Sequence, residues 1–249
     1  MDRFIKIDPI TRLKKTIVAE RDGALIELYP SFMPSHEANE LYKELKNLTD
    51  WKIRETMTRD GMKPTARLTM GLVNPELRGK LMEHPSYTPV ARTNSTGNSS
   101  QEYQIEDSDD VFPPLLLAAH EKIKELTGET FNYAYLNYYR DGNDHISFHA
   151  DKEETLEDGS TIASLSLGAT RDFVIRHIGD TRLAQNMSDD QLRLEALEAA
   201  KQTISLKAGS LLLMKKQTQK VYHHQVPKRL NVKSPRINIT FRHIRDLDS

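Results

Sequence analysis

The chain has no cysteine in 249 residues, and it has a single tryptophan, Trp51. Without cysteine there are no disulfide partners and no thiolate metal site, which fits a reducing compartment. No apolar run approaches the roughly 18 residues a membrane span needs. The opening Met1-Asp2-Arg3-Phe4 lacks the continuous apolar core of a signal peptide. The expectation is an intracellular protein with no membrane contact. Net charge is also nearly absent, at −1, but the charges are segregated. Residues 215–245 hold nine Lys or Arg and no acid, residues 51–80 hold seven basic and three acidic side chains, and residues 102–110 hold five acids and no base. Basic stretches within a near-neutral total permit a phosphate-bearing partner on one face.

What is present reads as a core of strands preceded by helices. Ala24–Tyr29 has strand composition and Pro30 ends it. Ser35 reads as the cap of a helix whose Ala38, Leu41, Leu45 and Leu48 form one apolar stripe. Trp51 reads as a packing residue. Arg67–Leu72 reads as a strand. Residues 84–110, rich in Pro, Ser, Thr, Asn and Gly, read as a long loop and a candidate substrate lid. Pro113 and Pro114 open a helix over 114–127 that Gly128 stops. From Phe131 the period changes to two. Strands are expected at 131–139, before His149, at 161–167, 171–177, 204–206, 209–214, 221–226 and 236–242. A capping-box match at Ser188-Asp189-Asp190-Gln191 marks one late helix, an insertion between strands. The fold class expected is α+β, mainly β, with a jelly-roll-like sandwich behind N-terminal helices and a lid region.

Two features carry chemistry. His149-Ala150-Asp151 is an H-x-D triplet. On a strand, residues i and i+2 share a face, so one imidazole and one carboxylate converge on one point. A third ligand from far along the chain would complete a two-His, one-carboxylate face, which suits non-haem Fe(II) because it leaves coordination positions open. His223 and His224 are both candidates, and adjacent strand residues point oppositely, so one of the two would serve. The last strand is the second feature. Arg236, Asn238, Thr240 and Arg242 share one face, and Ile237, Ile239 and Phe241 the other. Two inward arginines are costly to bury unpaired and ask for an anion. A dicarboxylate would serve, with one arginine offered to each end.

These blocks occur in a specific order. Asn137-x-Tyr139-x-Asp141-Gly142 precedes Asp144-x-Ile146-x-x-His149-x-Asp151-x-Glu153. Ser164-Leu165-Ser166-Leu167-Gly168-Ala169-x-Arg171-Asp172-Phe173 follows, then Gly209-Ser210-Leu211, Thr218-Gln219-x-x-Tyr222-x-His224-x-x-Pro227-Lys228 and Pro235-Arg236-x-Asn238-x-Thr240-Phe241-Arg242. Over residues 111–245 the chain resembles the AlkB family of Fe(II)/2-oxoglutarate dioxygenases, and within it the eukaryotic repair branch. The resemblance implies a double-stranded β-helix over 111–245, with residues 1–110 supplying an N-terminal region and substrate lid. It implies metal ligation by His149, Asp151 and His224, choosing His224 over His223. It implies that Asn137, Tyr139, Arg236, Asn238 and Arg242 hold 2-oxoglutarate, one arginine meeting the distal carboxylate with Tyr139. Glu153 would contact the exocyclic amine of a methylated base, Arg67 would shape the nucleotide lid, and Tyr87 or Tyr103 would stack on the base.

The activity implied is oxidative demethylation of N-alkylated bases in DNA or RNA, using Fe(II), 2-oxoglutarate and O2 and releasing formaldehyde, succinate and CO2. A monomer working in the nucleus or cytoplasm is expected. Other substrates on the same chemistry, a protein side chain or another RNA modification, and a non-catalytic binding module are the rival expectations. The chain departs from the family in two places. Met70-Gly71-Leu72-Val73 stands where an aromatic-Gly pair is usual, and residues 178–203 form an unusual insertion.

Overall fold

The computed structural model describes residues 5–8, 11–58, 61–75, 111–151 and 159–244. The chain begins with β1 (Ile5–Ile7), β2 (Lys14–Arg21) and β3 (Ala24–Tyr29). Asp22 and Gly23, both at positive φ, turn β2 into β3. Helix α1 (Ser35–Lys46) buries Ala38, Leu41 and Leu45, as its stripe requires. Its cap differs from expectation. Pro34 is the N-cap residue, Ser35 is already helical, and no side chain caps the end. The first turn is closed instead by Ala38 N–H donating to Pro34 O at 3.0 Å.

A hairpin of β4 (Glu55–Thr58) and β5 (Gly61–Pro64) precedes β6 (Leu68–Val73). Helix α2 (Pro114–Thr127) has proline in its first turn and ends at Gly128, whose φ of 71° is a left-handed conformation that glycine adopts without strain. Then follow β7 (Tyr133–Tyr139), β8 (Ile146–His149), β9 (Ile162–Gly168) and β10 (Arg171–His177). The insertion contains two helices rather than one, α3 (Ile178–Gln185) and α4 (Asp190–Ala199). Asp189 caps α4, its carboxylate accepting from Leu192 N–H. After β11 (Lys201–Leu206) and β12 (Leu211–Lys216) comes a single helical turn, α5 (Thr218–Val221), then β13 (Tyr222–Val226) and β14 (Arg236–Arg242).

Eight strands form one antiparallel sheet in the order β1-β2-β3-β12-β9-β14-β7-β6, and four form a second in the order β11-β10-β13-β8. The N-terminal strands and β6 thus extend the same large sheet that holds β14 at its interior. One core lies between that sheet and the helices, where Ile237, Ile239 and Phe241 meet Leu41, Leu45, Leu116 and Ile123. A second lies between the two sheets and includes Ile26, Ile162, Phe173, Ile175, Leu212 and Val226. Trp51 packs on the helix-side core, 5.2 Å from the Tyr138 ring, and its indole N–H donates to Leu45 O. Burying each of the three large apolar side chains of β14 contributes about 1.5–3 kcal/mol, which anchors the strand's other face toward the second sheet. The result is the jelly-roll, or double-stranded β-helix, that the strand pattern called for. Among the described residues no helix is long and apolar enough to cross a membrane.

Candidate active site

The site lies between the sheets, where β8 and β13 face the polar side of β14. His224 and His149 are direct partners across the β13–β8 ladder, and a bulge between His224 and Val226 breaks the register beside them. Bulges of this kind re-aim side chains. Asp151 follows His149 by two residues. The ligand atoms of His149, Asp151 and His224 all lie within 4.8 Å of one another, and the two imidazole centroids are 4.3 Å apart. His149 Nε2 is 3.9 Å from Asp151 Oδ1, a gap that an ion with bonds of about 2.1 Å to each would bridge. His149 Nδ1–H donates to Ser147 O at 2.9 Å, leaving Nε2 with a free lone pair. His224 is stacked on Phe173 at 5.1 Å. His223 is not part of this group and sits opposite Arg176 in the β10–β13 ladder.

The electrostatics favour ligands in their metal-binding forms. Burial pushes the His224 imidazole down to about 3, with Asp151 opposing the shift, and burial lowers His149 in the same way. Both rings are therefore neutral at physiological pH. Burial alone would raise the Asp151 carboxyl, but nearby positive charge, Arg242 first among it, outweighs burial and holds the group below the usual carboxylate range. Arg242 Nη2 donates to Asp151 Oδ1 at 2.7 Å. Gln219 Oε1 accepts from Asp151 N–H at 2.9 Å, which orients the backbone that carries the carboxylate.

Behind Tyr139, on the wall of the recess, the structure is cationic. Arg236 is 1% exposed, and its Nη2 donates to Ser166 Oγ at 2.9 Å. Its Nε and Nη1 have no partner among the described residues. The guanidinium carbon lies 5.3 Å from the Tyr139 ring centroid. Burial pushes Arg236 down to about 10, with Tyr139 opposing the shift and Arg171 adding to it. Asn238 Nδ2 donates to Ser164 Oγ and to Leu165 O. Arg67 Nε donates to Asn137 Oδ1 at 2.6 Å, so the expected lid residue reaches into the recess and meets an expected cosubstrate residue. Arg67, Asn137, Tyr139, Asn238, Thr240 and Arg242 line the same cavity as the three candidate ligands. The two arginines of β14 are thus divided, Arg242 beside the metal set and Arg236 beside Tyr139. Tyr87, Tyr103 and Glu153, and the 84–110 loop as a whole, lie outside the described residues.

Sequence reasoning did not single out Gln219, Ser164, Ser166 or Arg171 for a role. Each stands inside one of the ordered blocks quoted above, but the partners that give it a role are distant in sequence.

The donor set fits ferrous iron, with two neutral imidazoles and one carboxylate on one side of an open recess. The two unpaired N–H groups of Arg236 fit the far carboxylate of a dicarboxylate cosubstrate. Fold and site together define a 2-oxoglutarate- and iron-dependent oxygenase scaffold. Residues 26–242 match the family model described as the 2OG-Fe(II) oxygenase superfamily. Among curated proteins, DNA oxidative demethylase ALKBH2 of Mus musculus is 40% identical over 131 residues, covering 53% of this chain and 51% of that protein. The Arabidopsis thaliana protein of the same name is 38% identical over 139 residues, covering 53% of this chain and 44% of that protein. Alpha-ketoglutarate-dependent dioxygenase alkB homolog 3 of Mus musculus is 31% identical over 215 residues, covering 86% of this chain and 64% of that protein. The chain belongs to the 2OG-Fe(II) oxygenase superfamily and, within it, to the AlkB family. It spans about half the length of the first relative and just under two thirds of the last.

Proposed function

We propose that this chain oxidatively demethylates N-alkylated bases in DNA or RNA. The observation that carries the reading is the closeness of two features: the His149, Asp151 and His224 cluster in the recess, and, against Tyr139 on its wall, the Arg236 N–H groups without a partner among the described residues. Ferrous iron, 2-oxoglutarate and O2 would supply an oxidant that hydroxylates an N-methyl carbon, after which formaldehyde leaves and succinate and CO2 remain.

The protein's own part is geometry and charge. His149, Asp151 and His224 bind the metal, and Arg242 and Gln219 keep the Asp151 carboxylate ionised and aimed. Arg236 and Tyr139 take the distal carboxylate of the cosubstrate, with Asn137 and Asn238 along its length. Arg67, bonded to Asn137, lies where it can sense both cosubstrate and base. Residues 111–245 carry this chemistry, while 1–110 shape the approach to it. The target base must leave its stack to reach the recess. The basic side chains of 51–80 and 215–245 that lie outside the recess then grip phosphates, so binding weakens steeply with salt. The chain works as a monomer in the nucleus or cytoplasm.

The test is formaldehyde and succinate release from methylated single- and double-stranded DNA and RNA, with Fe(II), 2-oxoglutarate and ascorbate, run beside His149→Ala. Demethylation that vanishes in the variant is the expected result, and the panel identifies the polymer. Succinate without demethylation of any oligonucleotide would contradict the substrate, and no turnover of either kind would contradict the activity.

A further inference from the structure

Arg171 opens β10 and is 2% exposed; with Arg236 it heads the largest fully buried side chains among the described residues. Its Nη1 donates to Asp141 O at 3.0 Å, and its Nη2 donates to Asp144 O at 2.8 Å and Pro227 O at 2.7 Å. All three acceptors are backbone carbonyls. Its Nε has no partner among the described residues. The nearby Asp144 carboxylate is already engaged by Arg140, which donates to both of its oxygens at 2.8 Å. Buried arginines ordinarily pair with an acid. Here two buried guanidiniums instead share one phenol ring, Arg171 at 5.4 Å and Arg236 at 5.3 Å from the Tyr139 centroid.

A staple of three carbonyls does not by itself call for a full charge, because neutral amide donors satisfy carbonyls too. Burial lowers the Arg171 guanidinium, so the charge is held against a desolvation cost. Such a charge is useful where an anion arrives, and the adjacent Arg236 has two N–H groups waiting. The carbonyl bonds have a second consequence. They pin the Asp141–Asp144 turn and the chain after β13, and so fix the end of β7 that carries Tyr139.

We propose that Arg171 is a positioning residue for the distal carboxylate of 2-oxoglutarate. It holds Tyr139 in place and adds a second buried positive charge behind Arg236, so the recess selects a ligand with a carboxylate distal to its metal-chelating end. The inference rests on the cosubstrate named under Proposed function. Arg171 acts through Tyr139 and through space, without touching the ligand.

The test is calorimetric titration of the full chain loaded with Zn(II), a redox-inert stand-in. Two ligands are compared: 2-oxoglutarate, and oxalate, which reaches the metal and has no distal carboxylate. Arg171→Gln should weaken 2-oxoglutarate by about tenfold, the scale of one lost charge roughly 10 Å away in a protein interior, with oxalate within about twofold. Arg171→Lys keeps the charge but cannot reach three carbonyls at once, so its loss should be smaller, about threefold, and again confined to 2-oxoglutarate. Equal weakening of both ligands would reduce Arg171 to a structural staple, and no weakening of either would remove its role; each result overturns the proposal. If Arg171→Gln does not fold, Arg171→Lys is read by the same criterion. Wild-type protein that binds oxalate but not 2-oxoglutarate would overturn the functional reading itself. Normal wild-type binding with unselective variants would overturn this inference alone.

Discussion

Replacing Arg236 with methionine should stabilise the unliganded protein while crippling cosubstrate binding. Arg236 is 1% exposed, has one side-chain hydrogen bond, to Ser166, and leaves two N–H groups unpaired. Its fall from the ordinary guanidinium range to about 10 corresponds to roughly 3 kcal/mol held against the fold, at about 1.4 kcal/mol per unit. The charged form is the disfavoured one, so the cost is present at every pH below about 10 and is relieved only as pH rises from there toward the ordinary guanidinium range. Against that gain stand a lost hydrogen bond, worth about 1 kcal/mol, and a lost cation–π contact, worth about 1 kcal/mol. Methionine fills a similar volume without a charge. Urea denaturation without ligand should therefore show Arg236→Met equal to wild type or more stable by about 1 kcal/mol. Two charge-assisted hydrogen bonds to a carboxylate are worth about 1.5–3 kcal/mol each, so 2-oxoglutarate affinity by calorimetry should fall by more than about a hundredfold. A variant destabilised by more than about 2 kcal/mol, or one that keeps its affinity within about threefold, would refute the reasoning.

Three further outcomes follow from particular contacts. Gln219→Leu removes the acceptor for Asp151 N–H, and metal affinity by chelator competition should drop about tenfold, while an unchanged value would deny Gln219 an orienting role. Gly142→Ala would bring a methyl within 1.6 Å of Arg229 O, so the thermal midpoint should fall by the equivalent of about 2–3 kcal/mol; a midpoint equal to wild type would show that the loop yields. His120 is fully buried, its pKa is lowered by burial, and its Nε2 accepts from Phe131 N–H. The folded state keeps it neutral while the unfolded chain protonates near 6.5, so its contribution is present above that pH and is lost as pH falls below it. Between pH 7.5 and 5.5 wild type should lose more urea stability than His120→Gln, and equal losses would contradict the sign.

The parts legible in the sequence are those where one strand carries its own pattern. Alternation along β14 separated Arg236, Asn238, Thr240 and Arg242 from Ile237, Ile239 and Phe241, and the two sets do face different layers. The H-x-D spacing brought His149 and Asp151 together for the same reason. Choosing between His223 and His224 required cross-strand register, which spacing alone does not contain; the ordered likeness chose His224, and the β13–β8 ladder sets it opposite His149. The β2 strand was hidden because only Val18 is buried on it, so no apolar alternation marks it. Helix α3 was hidden because Gly179-Asp180-Thr181 reads as a turn, and its helical run is fixed by what it packs on rather than by propensity. Helix α4 was legible from its polar start although no residue on it is buried, but its cap lies one residue on from the box's Ser188: Asp189 accepts from Leu192 N–H. Gln219 and Arg171 act on partners set by the fold, and no local spacing announces such pairs.

The most direct test of the account is an anaerobic titration of the apoprotein with Fe(II), followed by 2-oxoglutarate, monitored by visible charge-transfer absorption. The expected result is one Fe(II) and one 2-oxoglutarate per chain, with binding abolished in His224→Ala and retained in His223→Ala. Saturation at another stoichiometry, or loss of binding in His223→Ala but not in His224→Ala, would contradict it.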